Sequence, residues 1–190
     1  AAVLWEDDDG FSWDPQWQIP NVGISRLREQ LGFIAHDVYE RPSEAVPVIG
    51  VTGTNGKTSC TQWLAQCLDH LYGKHSGGII GTNGHGFFQE LTPSRNTTPD
   101  PISVHQLLAG FRGLGAKAVG MEVSSHGLDQ GRVNGVHFQV AVLTNLSRDH
   151  LDYHRSMTAY DIIRNISHAI QDIKKPDHTD LPIECRAHLL

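Results

Sequence analysis

The sequence predicts an α/β fold, a mostly parallel sheet with flanking helices. Three observations lead there. Four short apolar runs, at 46–51, 77–81, 117–123 and 139–144, are near-continuous rather than alternating, as in strands buried on both faces. Amphipathic patterns of helical period lie between and after them. The first run passes straight into a glycine-rich turn, Gly50-Val51-Thr52-Gly53-Thr54-Asn55-Gly56-Lys57-Thr58, which opens the first of those helices.

Residues 1–45 differ in character. They start irregularly, with Glu6, Asp7, Asp8, Asp9, Trp13, Pro15, Trp17 and Pro20, and hold one short helical pattern of Leu27, Leu31, Ile34 and Ala35. Arg41-Pro42-Ser43 then reads as a linker. The segment is too short for a domain and reads as the C-terminal remnant of an N-terminal one. Residues 46–174 read as a central domain. Val46, Val48 and Ile49 form the strand that feeds the turn. A helix follows over 57–72, with Cys60, Leu64, Cys67, Leu68 and Leu71 on one face. Residues 77–81 form a strand, and Phe87 and Phe88 belong to a further strand or hairpin. A helix over 102–114 buries Val104, Leu107, Leu108 and Phe111. Strands at 117–123 and 139–144 come next. The last helix, 158–173, carries Ile162, Ile163, Ile166, Ile170 and Ile173. Residues 175–190 turn polar, with Pro176 and Pro182, and read as a divergent, disordered tail.

Composition narrows the function classes. Of the 190 residues, 39% are hydrophobic, enough for a packed core. No apolar stretch approaches the roughly 18 residues that span a bilayer, and no secretory signal is seen. The expectation is a cytoplasmic protein without membrane insertion. Ala1 rather than Met suggests a missing or processed start. A formal charge of −6 argues against a nucleic-acid partner. Cys60, Cys67 and Cys185 lack metal-type spacing and are odd in number, so buried thiols in a reducing compartment are expected. The 12 histidines are scattered and read mostly as surface or packing residues.

Ligands of open parallel sheets bind beyond the carboxyl ends of strands. Four candidate sites fall there. The first is Gly53-x-x-Gly56-Lys57-Thr58, a contracted phosphate-binding loop. Its amides and Lys57 face negative charge, and the Thr58 hydroxyl can ligate Mg²⁺. The second is Asn96-Thr97-Thr98-Pro99-Asp100, which either caps the next helix or holds a ligand. The third is Glu122-Val123-Ser124-Ser125-His126. A carboxylate in an apolar strand needs a partner, either Mg²⁺ or a buried salt bridge. The fourth is Thr144-Asn145-Leu146-Ser147-Arg148-Asp149-His150, continuing through Asp152 to His154.

These motifs, together with Met121 to Arg132, resemble the Mur ligases in order and approximate spacing. The resemblance is nearest to the branch that adds the third residue of the peptidoglycan stem peptide, and it runs from about residue 20 to about 160. It implies ATP-dependent formation of an amide through an acyl phosphate, with ATP and Mg²⁺. The implied substrates are UDP-MurNAc-dipeptide and a diamino acid, diaminopimelate or lysine. By carry-over, Gly53, Thr54, Asn55, Gly56, Lys57 and Thr58 cradle the ATP phosphates. Thr58, Glu122 and His150 hold Mg²⁺, and Lys57, Glu122 and His150 form the catalytic set. Asn96, Thr97, Thr98, Ser124, Ser125, Gln130 and Arg132 bind the UDP-linked substrate. The full-length parent is expected to be a monomer.

One position departs from the family. A carbamylated lysine is expected on the helix after His154, and Arg164 stands there. Arginine stays protonated and cannot readily form a carbamate. The family's amino-acid-binding domain and most of its uridine-binding domain are also expected to lie outside this chain. A catalytically inert fragment that at most binds nucleotide therefore stands beside the ligase reading. A folylpolyglutamate synthetase-like ligase, which shares the phosphate loop, is a lesser alternative.

Overall fold

A computed structural model describes residues 2–7 and 10–145. The expected helix over 158–173, the tail 175–190, His150, Arg164 and Cys185 lie outside the described residues.

The chain opens with β1 (Val3–Glu6) and β2 (Asn21–Ile24), a parallel two-stranded sheet that the sequence reading treats as irregular. Trp5, Phe11, Trp13 and Trp17 pack on one another beside it. Helix α1 (Leu27–Val38) and the short α2 (Pro42–Ala45) follow. The stretch Arg41-Pro42-Ser43, read as a linker, leads into and begins α2. Pro42 presets φ at the first helical position, and both Pro42 and Ser43 are buried.

The main sheet has six strands in the order β6-β5-β4-β7-β3-β8. Its parallel part is β4 (Gly77–Gly81), β7 (Ala118–Glu122), β3 (Val48–Thr52) and β8 (Phe138–Leu143). An antiparallel hairpin of β5 (Gly84–Phe87) and β6 (Glu90–Thr92) extends one edge, as Phe87 suggested. Helix α3 (Lys57–Tyr72) covers one face and α4 (Pro101–Gly113) the other. A short helix, α5 (Ser125–Asp129), follows β7. Among the described residues β8 is the edge strand, and Val140 and Leu143 are exposed. No helix of the described residues is long and apolar enough to cross a membrane.

The core lies between the sheet and α4. Val48, Ile80, Val119, Met121 and Phe138 meet Val104, Leu108 and Phe111. Each such side chain contributes about 1.5–3 kcal/mol by leaving water. The opposite face is built differently. A Cβ on Gly77 would stand 2.5 Å from the Ala65 backbone, and one on Gly120 would meet Leu64 and Thr61. The two glycines let α3 sit close, so its buried contacts are the small Thr61 and Ala65. That rotates the expected face. Leu71 is exposed, Cys67 is exposed and Cys60 is half-buried, which corrects the expectation of buried thiols at 60 and 67.

Candidate functional site

Strand order places the site. The loop after β3 emerges between the carboxyl ends of β7 and β8, with the end of β4 one strand further along. These ends bring Gly53–Thr58, Thr82, Glu122 and Thr144 to one edge of the sheet.

The loop needs two left-handed residues, and both are glycine. Gly53 has φ 124° and Gly56 φ 88°. A side chain at Gly53 would also collide with Thr144 Oγ1, at 2.3 Å from the Cβ position. The β8 end holds the loop in shape. Thr144 Oγ1 donates to the Asn55 carbonyl at 2.6 Å, and Asn145 accepts from the amides of Thr54 and Asn55 at 3.1 Å each. Gly56 gives the first turn of α3 no side-chain cap. The helix start therefore presents backbone N–H groups and the positive end of its dipole, as an anion site requires. Lys57 Nζ folds back onto the carbonyls of Gly53 at 2.7 Å and Thr54 at 3.2 Å. Burial pushes its pKa below the ordinary lysine value, and the negative charge of Glu122 opposes that shift.

Glu122 ends β7 at 1% exposure. A buried carboxylate is costly unless it is well bonded. Here Thr58 Oγ1 donates to it at 2.9 Å, the Thr82 amide at 3.0 Å and Thr82 Oγ1 at 3.0 Å. These three donors are neutral, and no salt bridge to Glu122 is found among the described residues. Its oxygens and the two threonine hydroxyls form a hard-oxygen set, the kind Mg²⁺ prefers. The chemistry of the donors thus fits that ion. A Cβ on Gly81 would stand 2.1 Å from Glu122 Oε1, so the glycine keeps the carboxylate's place open.

Thr82 lies outside the four sequence motifs. Its signal was its position just past the carboxyl end of the 77–81 strand. Thr144 and Asn145 were in the fourth motif, but their part in bracing the loop follows only from the contact of β8 with β3.

The other named residues lie beside this centre. Thr97 Oγ1 pairs with Thr82 Oγ1 at 3.0 Å, which links the 96–100 turn to Glu122. Asn96 is exposed. Thr98 is fully buried, and its hydroxyl is shared by the Glu122 carbonyl, the Ser124 amide and Ser124 Oγ. Ser124 caps α5 by accepting from the Gly127 amide, and Ser125 is the first residue of that helix. Gln130 Oε1 accepts from Arg132 Nε and Nη2, while Arg132 Nη1 donates to the Thr98 carbonyl at 2.8 Å. Of the two roles open to the 96–100 turn, the cap falls to Asp100, whose carboxylate takes the amide and hydroxyl of Ser103.

A profile of the Mur ligase middle domain matches residues 51–165. A UDP-N-acetylmuramoyl-L-alanyl-D-glutamate–2,6-diaminopimelate ligase of Chromobacterium violaceum is 56% identical over 160 residues, 84% of this chain and 32% of the relative. The protein of the same name from Neisseria meningitidis serogroup A is 53% identical over 165 residues, 87% of this chain and 33% of the relative. A solved structure of a ligase with this name superposes with a TM-score of 0.65 at 30% identity, over 90% of this chain and 32% of that one. The chain spans about a third of the length of the relatives it matches. The match over more than half of the chain, on the strands and loops that build the site, makes this chain a member of the Mur ligase family.

Proposed function

We propose that this chain carries the ATP-binding centre of an ATP-dependent amide ligase of peptidoglycan precursor synthesis. The proposed reaction joins 2,6-diaminopimelate to UDP-MurNAc-L-Ala-D-Glu. The relatives' names favour that amino acid over lysine. One observation carries the reading: the last residue of the phosphate loop, Thr58, is hydrogen-bonded to the buried Glu122. The phosphate-binding and metal-binding groups are thus one unit.

Each residue has a part. The amides of the loop and of the first turn of α3 bind phosphate oxygens. Lys57 exchanges its loop carbonyls for phosphate and keeps its charge near the transferred group. Thr58 and Glu122 hold Mg²⁺, which neutralises charge on the phosphates when bound. His150 adds a metal ligand by resemblance, from outside the described residues. The family chemistry activates a carboxylate as its acyl phosphate, and an amine then displaces phosphate. What the protein supplies is positioning and charge. Asn96, Thr97, Ser125, Gln130 and Arg132 bind the UDP-linked substrate. Thr98 and Ser124, whose hydroxyls are engaged internally, hold that wall against β7.

The test is ADP release with UDP-MurNAc-L-Ala-D-Glu and diaminopimelate. Turnover that disappears in Lys57→Ala supports the ligase reading. ATP binding without turnover would favour a nucleotide-binding module instead, and turnover only with folate and glutamate would favour the folylpolyglutamate type.

A further inference from the structure

The carboxyl ends of the strands are accounted for by the phosphate loop and its neighbours. At the opposite end lies a cluster that the proposed function does not use. His36 of α1, Glu44 of α2 and His137, which directly precedes β8, converge there from three separate elements.

We propose that His36, Glu44 and His137 form a binding site for a borderline divalent transition-metal ion of the Zn²⁺ class. His36 Nε2 lies 3.6 Å from Glu44 Oε1, and His137 Nε2 lies 3.8 Å from the same oxygen. All three ligand atoms fall within 4.8 Å of one another. A tetrahedral ion bound at about 2.0–2.1 Å spaces its ligand atoms about 3.4 Å apart. The two edges to Glu44 therefore need to shorten by a few tenths of an ångström, and the His36–His137 edge, within 4.8 Å, by no more than about 1.4 Å. Two imidazoles and one carboxylate make a set that suits zinc and its neighbours better than Mg²⁺.

The state of His36 points to a ligand. It is 7% exposed, and neither ring nitrogen has a hydrogen-bond partner. Buried polar atoms are rarely left so. A metal on Nε2 satisfies one of them. The rings of His36 and His137 stack at 5.0 Å, and His105 packs edge-on against His36. The His137 amide donates to Ser43 Oγ at 2.9 Å, which fixes that histidine beside α2. Arg41 is the competing cation, 3.8 Å from Glu44 Oε1, but it is mostly exposed and also pairs with Asp37. A bound ion would staple α1 and α2 to the start of β8, with its fourth position open on the exposed side.

The test uses the full chain after treatment with a chelator. Zn²⁺ is titrated calorimetrically in excess Mg²⁺, and Co²⁺ serves as a spectroscopic probe. One equivalent should bind, and Zn²⁺ should raise the melting temperature. His137→Ala and Glu44→Gln alter partly exposed side chains and should keep the fold, checked by circular dichroism. Each should weaken Zn²⁺ binding by more than about tenfold, a loss seen even for outer-shell partners. Cys67→Ser should leave it unchanged. Absence of saturable uptake, or an affinity unchanged in either of the first two variants, overturns the proposal. Because the loop at Gly53–Thr58 is not involved, ATP binding reports separately on the nucleotide site.

Discussion

Thr98→Val tests whether the 96–100 turn is held to the end of β7 by one buried hydroxyl. Thr98 is 0% exposed. Its Oγ1 donates to the Glu122 carbonyl at 3.0 Å and accepts from the Ser124 amide at 3.0 Å, with Ser124 Oγ at 3.1 Å. Valine keeps the shape and the methyl that packs over Gly127. It removes both backbone partners, leaving a buried carbonyl and a half-buried N–H without that bond. Each such group costs about 1–3 kcal/mol, so the variant should lose about 2–6 kcal/mol, toward the lower end because the Ser124 amide is only half-buried. Urea unfolding followed by circular dichroism reads this directly, with an unchanged slope showing that the same surface is exposed. Thr98→Ser, which keeps the hydroxyl, should lose clearly less. A loss below about 1 kcal/mol in Thr98→Val, or equal losses in the two variants, would refute the strut.

Two further substitutions probe the same region. Gly81→Ala places a methyl 2.1 Å from Glu122 Oε1 and must displace the carboxylate; Mg²⁺-dependent ATP binding should weaken by about tenfold, or 1.4 kcal/mol, and an unaltered affinity would show that the position of Glu122 is not critical. Asp100→Ala removes the N-cap of α4 and should cost about 1 kcal/mol in thermal unfolding. Burial acts against the Asp100 charge, but the hydrogen bonds from Ser103, together with those from the Asp100 and Ile102 amides, outweigh it and hold the carboxyl below its ordinary 3.8. Its folded pKa is thus depressed, so the cap's contribution is present above pH 3.8 and fades as the pH falls through the folded value. The difference between wild type and Asp100→Ala should shrink in acid, and a difference that grows there would contradict the sign.

The parallel sheet is legible in the sequence because β3, β4 and β7 are buried on both faces and the helices are long enough to show their period; β8 is apolar in sequence but exposed along one edge. Helix α3 begins at Lys57 and ends at Tyr72 as the pattern indicates. Its buried face is not legible, because that depends on Gly77 and Gly120 in strands the helix has yet to meet. The β1–β2 pair escapes for a local reason: four-residue strands flanked by Trp, Asp and Pro carry too few positions to show a period. Gly53, Lys57, Thr58 and Glu122 stand out by residue type alone. Thr82 does not, because a threonine after a strand becomes a partner of Glu122 only when β4 lies beside β7. The grouping of His36, Glu44 and His137 is equally invisible, since about a hundred residues separate its ends in sequence.

The central claim is that Gly53–Thr58 and Glu122 together form a Mg²⁺-nucleotide site. Calorimetric titration of ATP into the full chain, with and without Mg²⁺, tests it most directly. The expected result is saturable binding that Mg²⁺ strengthens, and that weakens by at least about tenfold in both Lys57→Ala and Glu122→Gln. Binding that ignores Mg²⁺, or that survives Lys57→Ala at wild-type affinity, would contradict it.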